Sequence, residues 1–273
     1  MPTTDVLGIR MKENYERVSQ TKLLRRTPVA IRIDGRSFHT WTRGFAKPFD
    51  EILIQAMQET AKYLCTNIQG CVFGYTQSDE ITLILQDYKE LDTSAWFDYK
   101  VQKLCSVAAS MATMAFNKIF TKAVIEYIAY CRSSYMGQSM ELQMKHNKYI
   151  EALTKAAEKG AMFDARCFNI PKEEVCNLIY WRQLDATRNS IQMLAQSLFS
   201  HPELQGLSCN KLQDKMLTEK DVNWNELDTY LKRGTAIVKQ PEEGEDISTE
   251  RWFIDKDMPI LKGEDRNYVE QYI

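Results

Sequence analysis

The residues best suited to chemistry in this sequence are acidic side chains placed at the ends of apolar, strand-like segments. Asp34 follows the alternating run 29–33, and Gly35 comes next, where the missing side chain lets a backbone carbonyl approach a ligand. Asp79 and Glu80 lie at the bend of a second strand-like pattern further along the chain. Clustered carboxylates suit Mg²⁺, which keeps several waters and shares the phosphates of a bound nucleotide. Two such ions can activate an attacking oxygen and stabilise a leaving one during displacement at phosphorus.

Each acidic segment, taken alone, is typical of an ordinary turn, because Asp, Ser and Gly favour turns. Their setting favours a functional site instead. Both segments interrupt apolar strands of the predicted central sheet, and basic residues at Arg32, Arg36, Lys47 and Lys103 could meet a triphosphate.

The elements that must position these residues alternate between strand and helix patterns. The periodicity predicts strands at 28–38, within 71–85 (a strand, a turn and a strand), and at 123–130, 162–170 and 235–240. It predicts helices at 5–20, 50–64, 96–120 and 173–200. This order indicates an α+β fold in which helices pack on a sheet.

Two stretches are predicted to lie outside that core. Residues 132–160 are typical of a charged helical excursion, and residues 241–273 of an acidic tail or flap. The predicted organisation therefore places the first part of the catalytic core in 1–131. The rest of the core, together with further helices, falls in 161–240.

Bulk composition narrows the function classes only partly. The chain has 273 residues, 35 basic and 37 acidic, with a net charge of −2. This balance argues against a general duplex-coating protein but is compatible with a local basic patch. Seven cysteines without a Cys-x-x-Cys pair, and only three histidines, argue against structural zinc. With no apolar leader and no membrane-length apolar run, we expect a soluble, cytoplasmic protein without a membrane partner.

Several short motifs occur in a specific order: Arg32–His39, Phe45–Asp50, Tyr75–Glu80, Trp181-Arg182-Gln183 with Asp185, and Arg233-Gly234-Thr235. Over roughly residues 5–240, they resemble the tRNA-histidine guanylyltransferase family of reverse (3′-to-5′) polymerases. The resemblance implies a polymerase-palm-like antiparallel sheet with helices packed on it and a helical C-terminal part, with RNA-binding helices within 161–240. It also implies a homotetramer that adds nucleotides to the 5′ end of tRNA, using two Mg²⁺ ions, ATP or GTP as activating nucleotide, and nucleoside triphosphate substrates.

The resemblance also assigns roles to individual residues. Asp34 and Asp79 would be catalytic metal ligands assisted by the Gly35 carbonyl, and Glu80 would be a second acidic residue that supports the catalytic site. A further set would hold the base of the activating nucleotide or contact its triphosphate: Arg32, His39, Phe45, Ala46, Lys47, Asp50, Ser78 and Lys103. Without the resemblance, Phe45 is typical of a core residue and the two lysines of a solvated surface.

One segment departs from the family pattern. Eukaryotic guanylyltransferases carry His-Ile-Asn-Asn where this chain has Thr187, Arg188, Asn189 and Ser190. The missing histidine favours the guanylyltransferase-like branch, which resembles a template-dependent repairer of 5′-truncated tRNAs. The last three of these residues are weak candidates for RNA binding, and a polar turn on a helix surface is the alternative.

The leading hypothesis is template-dependent 3′-to-5′ nucleotide addition to truncated tRNA. In that reaction the 3′-hydroxyl of a nucleoside triphosphate attacks an activated 5′ phosphate. One alternative is strict addition of guanosine at position −1 of histidine tRNA. A second is a non-catalytic module that binds nucleotide or RNA, and a third, a forward nucleotidyl cyclase, is disfavoured by the segment 45–48.

Overall fold

The computed structural model describes residues 5–134, 140–241 and 250–273. Within these ranges, one antiparallel sheet contains β1 (Val29–Gly35), β2 (Cys71–Gln77), β3 (Glu80–Leu85), β4 (Phe163–Asn169), β5 (Thr235–Pro241) and β6 (Glu250–Asp255). The strand order is β4-β1-β3-β2-β5-β6. The strand at 28–38, the strand–turn–strand at 71–85, and the strands at 162–170 and 235–240 are thus confirmed.

Helices pack on both faces of the sheet, which confirms the predicted α+β class. They are α1 (Val6–Met11), α2 (Phe38–Trp41), α3 (Glu51–Asn67), α4 (Val101–Ser134), α5 (Met140–Lys159), α6 (Lys172–Leu198), α7 (His201–Leu204), α8 (Cys209–Lys220), α9 (Thr229–Arg233) and α10 (Asn267–Glu270). A π-helical turn, Lys12–Glu16, continues α1. None of the helices in the described ranges has the length and apolar character needed to cross a membrane.

The central strands are buried on both sides, which explains their nearly continuous apolar sequence. Ile31 and Ile33 of β1 belong to a core shared with α3, α4 and α5, whereas Ala30 belongs to a second core shared with α6. A third cluster forms where the second half of α6 meets α8 and Trp224. This cluster is the centre of the predicted helical C-terminal part.

The segment 123–130, predicted as a strand, is instead the continuation of helix α4. Its apolar and β-branched residues fit either pattern, and periodicity alone does not separate a short buried strand from a buried helix. Packing decides, because Phe116, Phe120 and Val124 recur at helical spacing and are all buried in the main core.

The predicted excursion at 132–160 is helical where described, but α5 does not leave the core. Leu153 and Ala156 are buried in the same cluster as the central strands. They form the apolar face of an otherwise charged helix. Residues 135–139 lie outside the described part of the chain.

The C-terminal segment also differs from the predicted acidic tail. Residues 250–255 form β6 and extend the sheet, with Phe253 opposite Val238 of β5. Beyond the strand, Met258 and Leu261 are buried in the core shared with α6. The few apolar residues among the charged ones are therefore enough to pack this segment against the sheet and α6. Residues 242–249 lie outside the described ranges.

A glycine turn joins α9 to β5 and generates a stability prediction. Gly234 has φ +83°, and an added Cβ would lie 2.5 Å from the Tyr75 hydroxyl and 2.7 Å from the Thr76 carbonyl oxygen. Gly206 has a similar φ of +76° but no atom within 4 Å of the same position. Gly206→Ala should therefore cost only the backbone strain, about 1 kcal/mol of unfolding free energy. Gly234→Ala should cost a further 1–3 kcal/mol or so through the clash.

Urea unfolding of the two variants beside the parent protein measures this difference. Equal losses for Gly206→Ala and Gly234→Ala would show that the close approach of α9 to β2 adds no constraint.

Candidate active site

The register of β1 against β3 brings the two predicted metal ligands to one place. Asp34 lies opposite Glu80, and the Gly35 N–H donates a hydrogen bond of 3.0 Å to the Asp79 carbonyl oxygen. Ser78, with φ +51°, makes the tight turn between β2 and β3, and its hydroxyl donates to Asp79 Oδ1 at 3.1 Å. The backbone therefore fixes the end of β1 against this turn.

The two carboxylates repel each other. Burial raises the pKa of Asp79, and the neighbouring charge of Asp34 raises that pKa further. The hydrogen bond from the Ser78 hydroxyl and the charge of His39 lower the pKa of Asp79. A cation between the two carboxylates would relieve the repulsion and favour the charged form of both.

These residues fit a magnesium ion that is shared with a substrate. In the ranges that the structure describes, no group of three or more His, Cys, Asp or Glu side chains forms a ready ligand cluster. Mg²⁺ needs no such cluster, because it is usually held by one or two carboxylates together with substrate phosphates and waters. Asp34, Asp79 and the Gly35 carbonyl could supply the protein's share.

A cavity of 440 Å³ opens beside the carboxylates. Nucleotide-sized ligands occupy clefts in this range. Its lining includes Asp34, Gly35 and Asp79 together with six of the predicted nucleotide-binding residues: His39, Phe45, Ala46, Lys47, Asp50 and Ser78. The structure thus brings together most of the predicted site, although the residues come from β1, α2, the loop before α3 and the β2–β3 turn.

Asp50 shapes the loop that forms one wall of this cavity. Its Oδ1 accepts a hydrogen bond of 3.0 Å from the Leu53 N–H and so caps α3. Its Oδ2 accepts from the Ala46 N–H at 3.0 Å and from the Tyr149 hydroxyl at 2.8 Å. Tyr149, on α5, was not predicted for the site, and its isolated position in a charged helix gave no signal.

Phe45 lines the cavity mainly as part of its apolar wall. Its ring stacks on that of Phe120, with 5.8 Å between the ring centres, and packs edge-on against that of Trp41, with 5.3 Å between the centres. The side chain is buried. The residue therefore ties the cavity wall to the main core through α4.

Glu80 is held in a buried ionic network beside the site. The Arg182 guanidinium donates to Glu80 at 2.6 Å, and Arg32 Nε lies 3.6 Å from the other carboxylate oxygen. Burial raises the pKa of Glu80, whereas the charge and hydrogen bond of Arg182 lower it. The motif containing Arg182 was recognised in the sequence, but its pairing with Glu80 required the packing of α6 on β3.

Two predicted nucleotide-binding residues do not line the cavity. Arg32 points toward α6, where its guanidinium lies 5.5 Å from the centre of the Trp181 ring. Lys103, near the start of α4, lies over the Phe97 ring at 5.9 Å. Lys103 lines a separate groove beside Lys100, away from both carboxylates.

The three weak RNA-binding candidates on α6 differ in their surroundings. Arg188 and Asn189 both contact the Asp185 carboxylate. Ser190 is buried, and its hydroxyl accepts a hydrogen bond of 3.0 Å from the Trp224 indole. Ser190 therefore links α6 to the segment that contains Trp224. The Arg188 side chain, by contrast, is exposed to solvent.

Sequence reasoning missed a basic residue next to Asp34. Arg166 Nη2 lies 3.9 Å from Asp34 Oδ2 and 3.2 Å from Asp164 Oδ1. Asp164 and Arg166 stand directly opposite Asp34 and Arg32 in the sheet. Asp and Arg alternate in both β1 and β4, and this pattern would have indicated that Arg166 lies near Asp34 if the two strands had been known to be neighbours.

Comparison with known proteins gives consistent results. The family described as tRNAHis guanylyltransferase matches residues 9–171. An uncharacterized protein of Acanthamoeba polyphaga mimivirus is 31% identical over 246 residues, or 86% of this chain and 77% of the relative.

Two solved structures of bacterial tRNA(His) guanylyltransferase-like protein are also similar. The complex with ATP has a TM-score of 0.76 at 41% identity, covering 98% of this chain and 99% of its own. The complex with GTP has a TM-score of 0.76 at 38% identity, with the same coverage. The predicted family is confirmed: the chain belongs to the tRNA(His) guanylyltransferase family of nucleotidyltransferases.

Proposed function

We propose that this protein adds nucleotides to the 5′ end of tRNA in the 3′-to-5′ direction, guided by the opposite strand of the acceptor stem. The observation that carries the proposal is the meeting of Asp34 and Asp79 at the mouth of the 440 Å³ cavity. The similar bacterial structures were solved with ATP and with GTP, which supports either nucleotide as the activating ligand of this cavity.

The proposed reaction has two transfers at phosphorus. An RNA 5′-monophosphate attacks the α-phosphate of ATP or GTP, and pyrophosphate leaves. The 3′-hydroxyl of the incoming nucleoside triphosphate then attacks the activated 5′ phosphate, AMP or GMP leaves, and the hydroxyl proton passes to solvent. An RNA that arrives triphosphorylated skips the first transfer, and pyrophosphate leaves in the second.

The residues of the chain contribute mainly position and charge. Asp34, Asp79 and the Gly35 carbonyl would hold two Mg²⁺ ions, which when bound neutralise phosphate charge and favour ionisation of the attacking hydroxyl. Lys47 and Ser78 line the same cavity, where they would contact the triphosphate. The loop fixed by Asp50 holds the nucleoside against Phe45 and Ala46.

The chemistry of the segment 187–190 favours repair of truncated tRNA over strict guanosine addition. The Thr187 hydroxyl donates a hydrogen bond of 3.0 Å to the Gln183 carbonyl oxygen in the same helix, and Ser190 is buried against Trp224. Arg188 is exposed, Asn189 and Ser190 line a cavity, and none of the four supplies the imidazole of the family pattern.

We also propose a homotetramer in the cytoplasm. Helix α1 supports the assembly, because Val6, Leu7, Ile9 and Met11 are 42–71% exposed and a second copy would cover them. The location is supported by the cysteines, all of which are free thiols at positions within the described ranges. Light scattering that gives the mass of a monomer, 31.8 kDa, would contradict the assembly.

Removal of either metal-binding carboxylate should abolish transfer. Asp34→Ala and Asp79→Ala are each expected to lower the rate of extension of a 5′-truncated tRNA by roughly a thousandfold or more, because metal assistance contributes several kcal/mol. The assay uses labelled nucleoside triphosphate, magnesium and the truncated tRNA. Asp92→Ala, an exposed carboxylate in the loop after β3, is the matched control.

Near-parental extension by Asp79→Ala would refute the assignment of the site. Absence of product from the parent protein, with RNA still bound, would favour the non-catalytic binding module.

Asp79 and Glu80, although adjacent, should differ in their effect on stability. Glu80→Ala removes one of the two carboxylates that bind the buried Arg182 guanidinium, the other being Asp185, and should cost roughly 1.5–3 kcal/mol of unfolding free energy. Asp79→Ala removes a carboxylate that is repelled by Asp34, so the unfolding free energy should not fall. Urea unfolding without metal or nucleotide measures both, and equal losses would contradict a supporting role for Glu80.

The choice of tRNA can be tested with histidine tRNA that carries or lacks its anticodon. A repair enzyme that reads the acceptor stem should extend both RNAs at similar rates. Strong loss of activity without the anticodon would instead support strict guanosine addition.

A further inference from the structure

An exposed aromatic side chain lies beside Arg32, on the strand that carries the proposed metal ligand Asp34. Trp181, on α6, is 52% exposed, although most large apolar residues of the first half of this helix are buried. It lies near Arg32, two positions before Asp34 on the same face of β1. Trp181 does not line the nucleotide cavity. The ring is therefore close to the chemistry but outside the site of the activating nucleotide.

Guanidinium groups surround the ring. Those of Arg182 and Arg32 lie 4.5 Å and 5.5 Å from its centre, which holds the ring by cation–π contacts. Arg32 Nε is buried without a hydrogen-bond partner, although it lies 3.6 Å from Glu80. Arg166 stands opposite Arg32 on β4, with half of its side chain exposed. Carboxylates accompany these groups, because Arg182 also contacts Asp185 and Arg166 also contacts Asp164. Arg166 is the most exposed of the three guanidinium side chains and the one best placed to meet a phosphate.

The surface of α6 connects this platform to the nucleotide cavity. Arg188, Gln192 and Gln196 are exposed at helical spacing after Trp181, and Gln196 lines the cavity. These side chains are aromatic, cationic or amide-bearing, and the one carboxylate between them, Asp185, is paired with Arg182 and Arg188. A nucleotide chain bound along this stripe would have one end beside Asp34.

We propose that Trp181 stacks on the base of the nucleotide at the 5′ end of the RNA substrate while Arg166 contacts its phosphate. This inference rests on the proposed function, because it assigns the acceptor RNA to a surface distinct from the nucleotide cavity. Stacking suits an acceptor whose terminal base varies, since every base has a π-face. The neighbouring guanidinium groups pair with phosphate without reading sequence.

Direct RNA binding tests the platform without requiring chemistry. Anisotropy of a 3′-fluorescein-labelled, 5′-truncated tRNA, recorded without nucleoside triphosphate, gives the Kd of the parent, Trp181→Ala, Trp181→Phe and Leu184→Ala. Leu184 is 49% exposed on the same helix and serves as the matched control. We expect Trp181→Ala to raise the RNA Kd roughly 5- to 150-fold, the range of one stacked base. Trp181→Phe should recover most of the affinity, and Leu184→Ala should match the parent.

Two further measurements separate stacking from a structural role. The Kd for ATP, measured by calorimetry, should be the same for the parent and Trp181→Ala, because the ring does not line the nucleotide cavity. Arg166→Gln should reduce the slope of log K against log salt by about one phosphate contact.

The outcomes distinguish this inference from the proposed function. If the parent binds the tRNA and Trp181→Ala binds it equally well, the platform is wrong and the proposed function stands. If Trp181→Ala loses ATP and RNA affinity together, the ring is structural and the platform is again wrong. If the parent does not bind tRNA, the proposed function fails and this inference fails with it.

Discussion

The pairing of β1 with the β2–β3 hairpin is the constraint on which the rest of the structure depends. It holds two like-charged carboxylates, Asp34 and Asp79, near each other, and burial of Asp79 adds to the cost. Such an arrangement is unfavourable without a cation. It persists because the strands that carry it are apolar and buried on both faces, so their packing stabilises a register that the charges oppose. The packing of the strands therefore offsets the repulsion between the two carboxylates of the site.

Helix α6 links that sheet to the helical C-terminal part. In its first half, Arg182 neutralises Glu80, which would otherwise add a third carboxylate charge beside the turn. Further along, Met193 and Gln196 line the nucleotide cavity, and Ser190 bonds to Trp224 in the third apolar cluster. The same helix therefore neutralises Glu80, forms part of the cavity wall and packs against the C-terminal helices.

Much of this architecture could be predicted from the sequence, because the central strands have clear apolar periods and Asp34 and Asp79 interrupt them. What could not be predicted depends on neighbours in space. The segment 123–130 fits strand and helix equally, and only the packing of α4 decides. The contact of Tyr149 with Asp50, and the position of Arg166 beside Asp34, depend on which elements touch, and no local pattern records that.

A template-guided enzyme faces a particular demand on recognition. Base pairing selects the incoming nucleotide, so the protein must hold an RNA end whose sequence it does not read. Contacts that suit this are phosphate–guanidinium pairs and stacking, which accept every base, rather than hydrogen bonds to base edges. The surface around Trp181 has that chemistry, whereas the cavity beside Lys47 is a cleft that would hold the activating nucleotide. Asp34 lines the nucleotide cavity and lies two positions after Arg32, the residue that contacts the Trp181 ring, so an RNA end bound at Trp181 would lie on the side of β1 where transfer occurs.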